Sequence, residues 1–186
     1  IKSVPIFVDS PMALTTLDFY REALNAGRDE IRADMIKTWQ GRDPFDPGTL
    51  AEKRTVEDSK SLNDVHTPCI IVSASGMATG GRVVHHLARM LPDSKNTVLL
   101  VGYQANGTRG RQLENGEKRV RIHGQDVAVH AQIAKADAFS VHADGDELIT
   151  WLSKGEKPTT SFVVHGELES AEVFAKRLKS ELGWNA

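Results

Sequence analysis

A glycine-rich segment that follows an apolar run is the first feature of this sequence that suggests chemistry. Residues 73–82 follow the apolar run 68–72 and include Gly76, Gly80 and Gly81. Glycines let the backbone approach a ligand closely, and the helix predicted next directs its N-terminal amides to the same place, which suits a phosphate. The spacing matches neither a Walker loop nor a dinucleotide-binding fingerprint, so a purely structural turn is the alternative.

Two histidines end predicted strands further along the chain. His142 closes the run 138–142, with Asp144 two positions later, and His165 closes the apolar run 161–165. A nearby carboxylate can hold an imidazole in one tautomer for proton transfer, and a strand that delivers a histidine into a glycine turn commonly places a metal ligand. The alternative is that Asp144 caps a helix and both histidines are ordinary strand-end residues. The predicted crossover between the two strands favours one cleft for both imidazoles.

A group of basic residues lies between these two regions. Its members fall within one short stretch after the third predicted strand: Arg109, Arg111, Lys118, Arg119 and Arg121. Such runs usually form a solvated face, but this one is placed where it can follow a nucleic-acid backbone. The formal net charge of the chain is −2, so any basic binding surface must be local.

Apolar runs predict the elements that position these residues. Strands at 5–8, 68–72 and 97–101, separated by helical patterns, predict one parallel sheet in an α/β fold. We interpret Asp9 as the cap of the first helix rather than as a substrate contact. The remaining predicted elements are short helical turns at about 50–56 and 59–64, antiparallel strands at 118–122 and 127–133, and helices at about 144–152 and 169–182.

Composition restricts the class of protein. The chain has 186 residues, of which 40% are hydrophobic and 26% charged, as in globular proteins. Its single cysteine, Cys69, excludes an intrachain disulfide and fits a reducing cytoplasm. No apolar run approaches the roughly 20 residues that span a bilayer, so no membrane partner is expected. The chain opens at Ile1 without Met or a basic leader, and we expect it to be part of a longer protein.

Four motifs in a fixed order identify a family resemblance. They are Ser75-Gly76-Met77 with Gly80-Gly81-Arg82, Gly102-Tyr103-Gln104 with Gly107-Thr108 and Gly110-Arg111, the segment 139–144, and Val164-His165-Gly166-Glu167. Together they resemble the β-CASP branch of the metallo-β-lactamase superfamily, the RNA- and DNA-processing nucleases. The chain is most similar to bacterial and archaeal relatives of the mRNA 3′-end processing endonuclease. The resemblance extends over essentially the whole chain.

The resemblance implies two domains and an active site between them. Residues 1–134 would form an N-terminally truncated β-CASP domain, a parallel sheet with helices on both faces. Residues 135–186 would be the C-terminal βαβα part of a metallo-β-lactamase domain.

The resemblance also implies roles for particular residues. His142 would contact the scissile phosphate, and His165 would be a ligand to one of two zinc ions in a two-metal hydrolysis of RNA. The residues implied to contact RNA phosphates are Ser75, Gly76, Gly80, Gly81, Arg82, Arg109 and Arg111. The substrate would be single-stranded RNA, and the resemblance leaves open whether the longer protein is a homo-oligomer.

One departure from the family pattern limits what this chain does alone. The family's other zinc ligands come from an upstream His-x-His-x-Asp-His motif, and this sequence contains no His-x-His. Catalytic zinc sites use about three protein ligands, so we expect the isolated chain to carry no zinc and to be inactive. The alternatives are a stand-alone, metal-free RNA-binding module and, supported by the glycines only, a small-molecule nucleotide-binding domain.

Overall fold

A computed structural model describes residues 4–29, 31–39, 41–139 and 142–186. Its strands are β1 (Ile6–Val8), β2 (Leu50–Glu52), β3 (Ile70–Val72), β4 (Thr97–Leu100), β5 (Arg119–Ile122), β6 (Gln125–Ala128) and β7 (Gln132–Lys135). Its α-helices are α1 (Pro11–Ala26), α2 (Ala33–Trp39), α3 (Val56–Ser61), α4 (Arg82–Met90), α5 (Arg109–Glu114), α6 (Gly145–Leu152) and α7 (Leu168–Leu182). Strands and helices therefore alternate through most of the chain, as predicted for an α/β fold.

The first sheet has the strand order β2-β1-β3, and all its strands are parallel. Strand β1 ends at Ser10-Pro11, where the Ser10 side chain accepts a hydrogen bond from the Ala13 amide and Pro11 opens α1. The predicted pairing of the first two apolar runs in a parallel sheet is confirmed. A helical turn was predicted where β2 lies, and this prediction is wrong, since three residues are too few to show a strand pattern.

The prediction that 97–101 joins this same sheet is wrong. Strand β4 pairs in parallel with β7 instead, and the two form a separate sheet. The side chains of Ile70, Val72 and Leu99 are each about half exposed, so β3 and β4 each leave one face partly open. Apolar runs reveal strands but not their neighbours, which are set by contacts distant in sequence.

A single hydrophobic cluster joins α4 to the second half of the chain. Helix α4 contributes Val84 and Leu87, and the antiparallel β5–β6 hairpin contributes Val120 and Ile122 from its inner face. Leu91, which is fully buried, follows α4 and completes this core. The predicted antiparallel pairing around Gly124 is confirmed. The predicted strand 127–133 is wrong in its bounds, because it is divided between β6 and β7, and β7 pairs in parallel with β4.

The C-terminal region contains the predicted helices but not the predicted second strand. Helices α6 and α7 pack against each other, while residues 161–164 form no strand, and the predicted βαβα unit is wrong in this respect. A strand needs a neighbour for its backbone groups, and within the described part of the chain the Ser161 amide donates to the carbonyl of Asn185, at 2.7 Å, and not to a strand. The predicted strand 138–142 lies partly outside the described residues. Among the described helices, none has both the length and the apolarity that crossing a membrane requires.

A buried carboxylate ties the first sheet to α4. Asp9 is fully buried, and its oxygens contact Arg82 Nη1 at 2.8 Å, His86 Nε2 at 2.6 Å and Ser59 Oγ at 2.7 Å. The interpretation of Asp9 as a helix cap is therefore wrong, because Ser10 caps α1. Burial alone would raise the pKa of Asp9, but hydrogen bonds from Ser59, His86 and Arg82 outweigh burial and lower it.

We expect Asp9→Asn to destabilise the chain by about 3 kcal/mol, because Arg82 then keeps a largely buried charge without its partner. Urea unfolding followed by circular dichroism measures this loss. Because the folded-state pKa lies below 3.8, the carboxylate stabilises the fold above that pH, and this contribution disappears as the pH falls through the lowered pKa. The difference between wild type and variant should therefore shrink on acidification.

Asp18→Asn is the matched control for this experiment, because the Asp18–Arg54 ion pair is half exposed on both sides. We expect a much smaller effect from it. Equal losses for the two variants would contradict the assigned role of Asp9.

Candidate functional site

The turn that follows β3 is built around glycines. Gly81 has a φ of +74°, and a Cβ at this position would lie 2.8 Å from the Ala74 carbonyl oxygen, so only glycine fits. At Gly76 and Gly80, by contrast, an added Cβ would meet no atom within 4 Å. The Ser75 hydroxyl accepts a hydrogen bond from the Thr79 amide at 3.2 Å and closes the turn. The segment predicted to contact phosphate therefore combines a fixed backbone with open space beside it.

The Gln104 side chain joins this turn to the one that follows β4. Its Nε2 donates hydrogen bonds to the carbonyls of Gly76 and Gly102, both at 3.0 Å, and the residue is 1% exposed. Gly110 on α5 makes the packing possible, because a Cβ there would lie 1.6 Å from Gln104 Oε1. Sequence reasoning recorded these residues only as parts of a motif. Gly110, known from the sequence only as part of that motif, suggests a close approach but does not show which residue makes it.

The three arginines predicted to contact phosphate all bind protein groups. Arg82 pairs with Asp9 and donates to the carbonyls of Lys53 and Arg54. Arg109 donates to the carbonyls of Ala78 and Arg121.

Arg111 pairs with Glu114 at 3.2 Å, and its guanidinium lies over the Tyr103 ring at 5.3 Å. These guanidinium groups hold the loops of the site in place, a role that their charge and spacing did not reveal.

Glu167 attaches the loop that contains His165 to the turn after β4. Its carboxylate accepts a hydrogen bond from the backbone N–H of Asn106 at 3.1 Å and lies 3.8 Å from Arg111 Nη2. A hydrogen bond to Tyr103 is the main cause of the lowered pKa of Glu167, and the same contact raises the pKa of Tyr103. The loop of the candidate metal ligand is thus held beside the candidate RNA-binding turns.

His165 has a backbone conformation that is uncommon for a histidine. It is exposed, with a φ of +69°, in the left-handed region, where residues other than glycine are often found at functional sites. Gly166 and Glu167 follow, and α7 begins at Leu168. The backbone at His165 therefore turns sharply between the irregular segment 161–164 and the helix.

His142 is exposed and lies just before α6. Asp144, the candidate orienting carboxylate, caps that helix by accepting hydrogen bonds from the backbone amides of Asp146 and Glu147 at 2.9 Å each. The helix-cap role, given above as the alternative for Asp144, is therefore observed.

The first turn of α6 contacts the C-terminal half of α7, where Arg177 lies 2.7 Å from Asp146. The helix that follows His142 therefore packs against the helix that follows His165.

The donor set for zinc is incomplete in the described part of the chain. Within residues 4–29, 31–39, 41–139 and 142–186, no three His, Cys, Asp or Glu side chains gather in a geometry that could hold a metal ion. His165 alone does not make a zinc site, for which about three protein ligands are needed.

Comparison with known proteins identifies two family domains in the chain. Residues 1–113 match the Beta-Casp domain, and residues 126–186 match the Zn-dependent metallo-hydrolase RNA specificity domain.

Similar proteins carry names that refer to RNA. Ribonuclease TTHA0252 of Thermus thermophilus is 37% identical over 94% of this chain and 39% of its own length. The RNase J-like protein of Methanocaldococcus jannaschii is 34% identical over 94% of this chain and 38% of its own length. Transcription termination factor FttA of Pyrococcus abyssi is 27% identical over 95% of this chain and 28% of its own length. The chain therefore spans about two fifths of these relatives or less.

A double-mutant cycle tests the contact between Gln104 and Gly110. We expect Gly110→Ala to cost about 2 kcal/mol, because the new Cβ displaces the buried Gln104 amide from its two carbonyl partners, Gly76 and Gly102. Gln104→Ala should cost a similar amount and also make room for that Cβ, so the double variant should lose clearly less than the sum of the two. Urea unfolding measures all three variants.

Gly155→Ala is the control for this cycle, because its new Cβ would meet only an ordinary contact at 3.5 Å. Strictly additive losses from the two single variants would contradict the proposed packing.

Proposed function

Because the chain belongs to the β-CASP family of metallo-β-lactamase-fold RNA nucleases, we propose that it is part of a zinc-dependent ribonuclease. The parent protein would hydrolyse RNA phosphodiester bonds by a two-metal mechanism, and the isolated chain would be inactive. The observation that carries this proposal is the attachment of the His165 loop to Asn106 through Glu167. It keeps the candidate metal ligand beside the turns that are candidates for RNA contact.

In this proposal the parent protein divides at residue 134, and its zinc ligands other than His165 lie outside this chain. The end of β7 at Lys135 supports the division, because β7 pairs with β4 and belongs to the same sheet. The incomplete donor set is the reason for assigning the remaining ligands elsewhere.

We assign the phosphates of the RNA to the turn after β3 and to the start of α4. The open space at Gly76 and Gly80 gives a sugar-phosphate chain access to the backbone, and Gly81 leaves the start of α4 without a side-chain cap. A helix N-terminus with its amides and dipole attracts a phosphate. Ser75 lies at the same turn and offers a hydroxyl.

In this proposal Arg82 contributes mainly through structure, whereas Arg109 and Arg111 also attract RNA phosphates. Their hydrogen bonds to protein groups hold the loops, while the positive charges of Arg109 and Arg111 remain near the phosphate path. The Arg82 charge is compensated by Asp9, so Arg82 would attract RNA least.

His142 is assigned to the scissile phosphate or the leaving oxygen, to which an imidazole can donate a proton. The substrate would be single-stranded RNA, and a reducing cytoplasm suits the lone Cys69. The alternative is a stand-alone, metal-free RNA-binding module. The incomplete donor set among the described residues fits both readings, and cleavage by the parent protein separates the two.

The two histidines should respond differently when each is replaced by alanine in the parent protein. His165→Ala should remove zinc and most RNA cleavage, because a metal ligand is lost. His142→Ala should keep the zinc and slow cleavage by roughly 10²–10⁴-fold, the usual loss of acid–base help. Metal analysis and single-turnover cleavage measure both variants.

His66→Ala, which changes an exposed histidine before β3, is the control and should alter neither zinc content nor cleavage. Zinc loss from the His142 variant would mean that the two roles are exchanged. Stoichiometric zinc in the isolated chain would contradict the assignment of the other ligands to the rest of the parent.

Binding of single-stranded RNA by the isolated chain should be weak and should depend on salt. For two phosphate contacts, the affinity should fall roughly sevenfold between about 50 and about 200 mM salt. Arg111→Gln should reduce the slope of log affinity against log salt by about 0.7, the value for one lost contact. Titration of a labelled RNA measures the slope.

Lys37→Gln removes an exposed charge from α2 and serves as the control for Arg111→Gln. If both variants change the slope by the same amount, the change reflects the overall charge of the chain. It would then not locate RNA binding at this surface.

A further inference from the structure

An open cleft lies between the turns that follow β3 and β4. Its volume is about 490 Å³, within the range of roughly 300–1,000 Å³ of small-molecule sites. The side chains of Val101 and Tyr103, which are 50% and 55% exposed, contribute apolar and aromatic surface. Ser75 and Thr79 contribute hydroxyl groups. None of the residues that line the cleft carries a charge.

Two glycines keep the cleft open and one buried amide keeps it rigid. Gly76 and Gly102 both line it, and a Cβ added to either would meet nothing within 4 Å. The same two residues accept the hydrogen bonds from Gln104 Nε2, so the distance between the turns is fixed. Any other side chain at either glycine would occupy the cleft without a clash against the protein.

The Tyr103 ring is held in position from two directions. The Arg111 guanidinium lies over one face of the ring at 5.3 Å, and the interaction with Glu167, which raises the pKa of Tyr103, acts at its hydroxyl. The ring nevertheless remains 55% exposed, which leaves its other face for a ligand. A preoriented aromatic ring loses little conformational entropy when a flat ligand stacks on it.

We propose that this cleft binds one nucleobase of single-stranded RNA, stacked on Tyr103 and packed beside Val101. The uncharged, aromatic wall formed by Val101 and Tyr103 suits a base, while the phosphates of the same strand would follow the opposite wall, from Ser75 and Gly76 to the start of α4. The Thr79 hydroxyl can bond to the polar edge of the base. The assignment rests on the proposed function. The assignment adds to the proposed function a base-binding position next to the phosphate-binding turn. Stacking makes this position tolerant of base identity.

Fluorescence titration of the chain with two ligands tests the cleft, namely a labelled RNA of about eight nucleotides and an abasic strand with the same number of phosphates. Wild type should bind the RNA more tightly than the abasic strand. Tyr103→Ala should weaken RNA binding by roughly 5- to 150-fold, the range for loss of one stacked base, and should leave abasic binding unchanged. Tyr103→Phe should retain most of the preference, because it keeps the ring.

Gly102→Val tests the cleft in a second way, because it fills the space and leaves Tyr103 in place. It should also reduce RNA binding to the abasic level, and it decides the matter if Tyr103→Ala fails to fold by circular dichroism. Gly155→Ala, distant from the cleft in sequence, should bind both ligands as wild type does.

The outcomes separate the cleft from the proposed function. If wild type binds both strands equally, or if Gly102→Val weakens both equally, the cleft is not a base site, while RNA binding itself stands. If wild type binds neither strand, both the base site and the proposed RNA-binding role are overturned.

Discussion

The buried carboxylate of Asp9 is the interaction on which the arrangement of the first half of the chain depends. An ion removed from water needs charged or hydrogen-bonding partners, and α4 supplies two of them, Arg82 and His86, from successive turns on one face. This requirement places the first turn of α4 against the end of β1. The turn of Gly80 and Gly81 directly precedes α4, so its position follows from the same contact.

The opposite side of the site is organised by groups whose charges are also compensated internally. Glu167 receives the Asn106 amide and lies near Arg111, while Arg111 also pairs with Glu114. Charges paired in this way create a smaller external field than their number suggests. On the proposed function, RNA recognition by this surface would therefore depend on backbone groups and on the shape of the cleft at least as much as on net charge.

The sequence predicted those features that depend on local pattern. The parallel pairing of β1 with β3, the hairpin around Gly124 and the bounds of α7 follow from apolar runs, turn dipeptides and helical spacing. The division into two sheets was missed, because an apolar run does not specify its neighbour. Strand β2 was missed because it is very short.

Within the candidate site, the sequence predicted which segments matter better than it predicted what each side chain does. The family resemblance implied that Arg82 and Arg109 contact phosphate, and the structure shows them bound to Asp9 and to backbone carbonyls. The role of Gln104 depends on two carbonyls and on space at Gly110, all distant from one another in three different segments. A single sequence does not show that these three segments come into contact.

The segment before His165 shows why local pattern and final structure differ in this part of the chain. Phe162 and Val164 have the apolar character of strand residues, yet they are 84% and 73% exposed, and the segment forms no strand. Backbone groups and apolar side chains of such a segment are stabilised together when neighbouring strands cover them. On the proposed function, the missing zinc ligands lie in the part of the parent that would also supply those neighbours. The position of the His165 imidazole and the formation of a strand before it would then both depend on contacts with that part of the parent. In this chain Glu167 holds the end of the loop that follows His165.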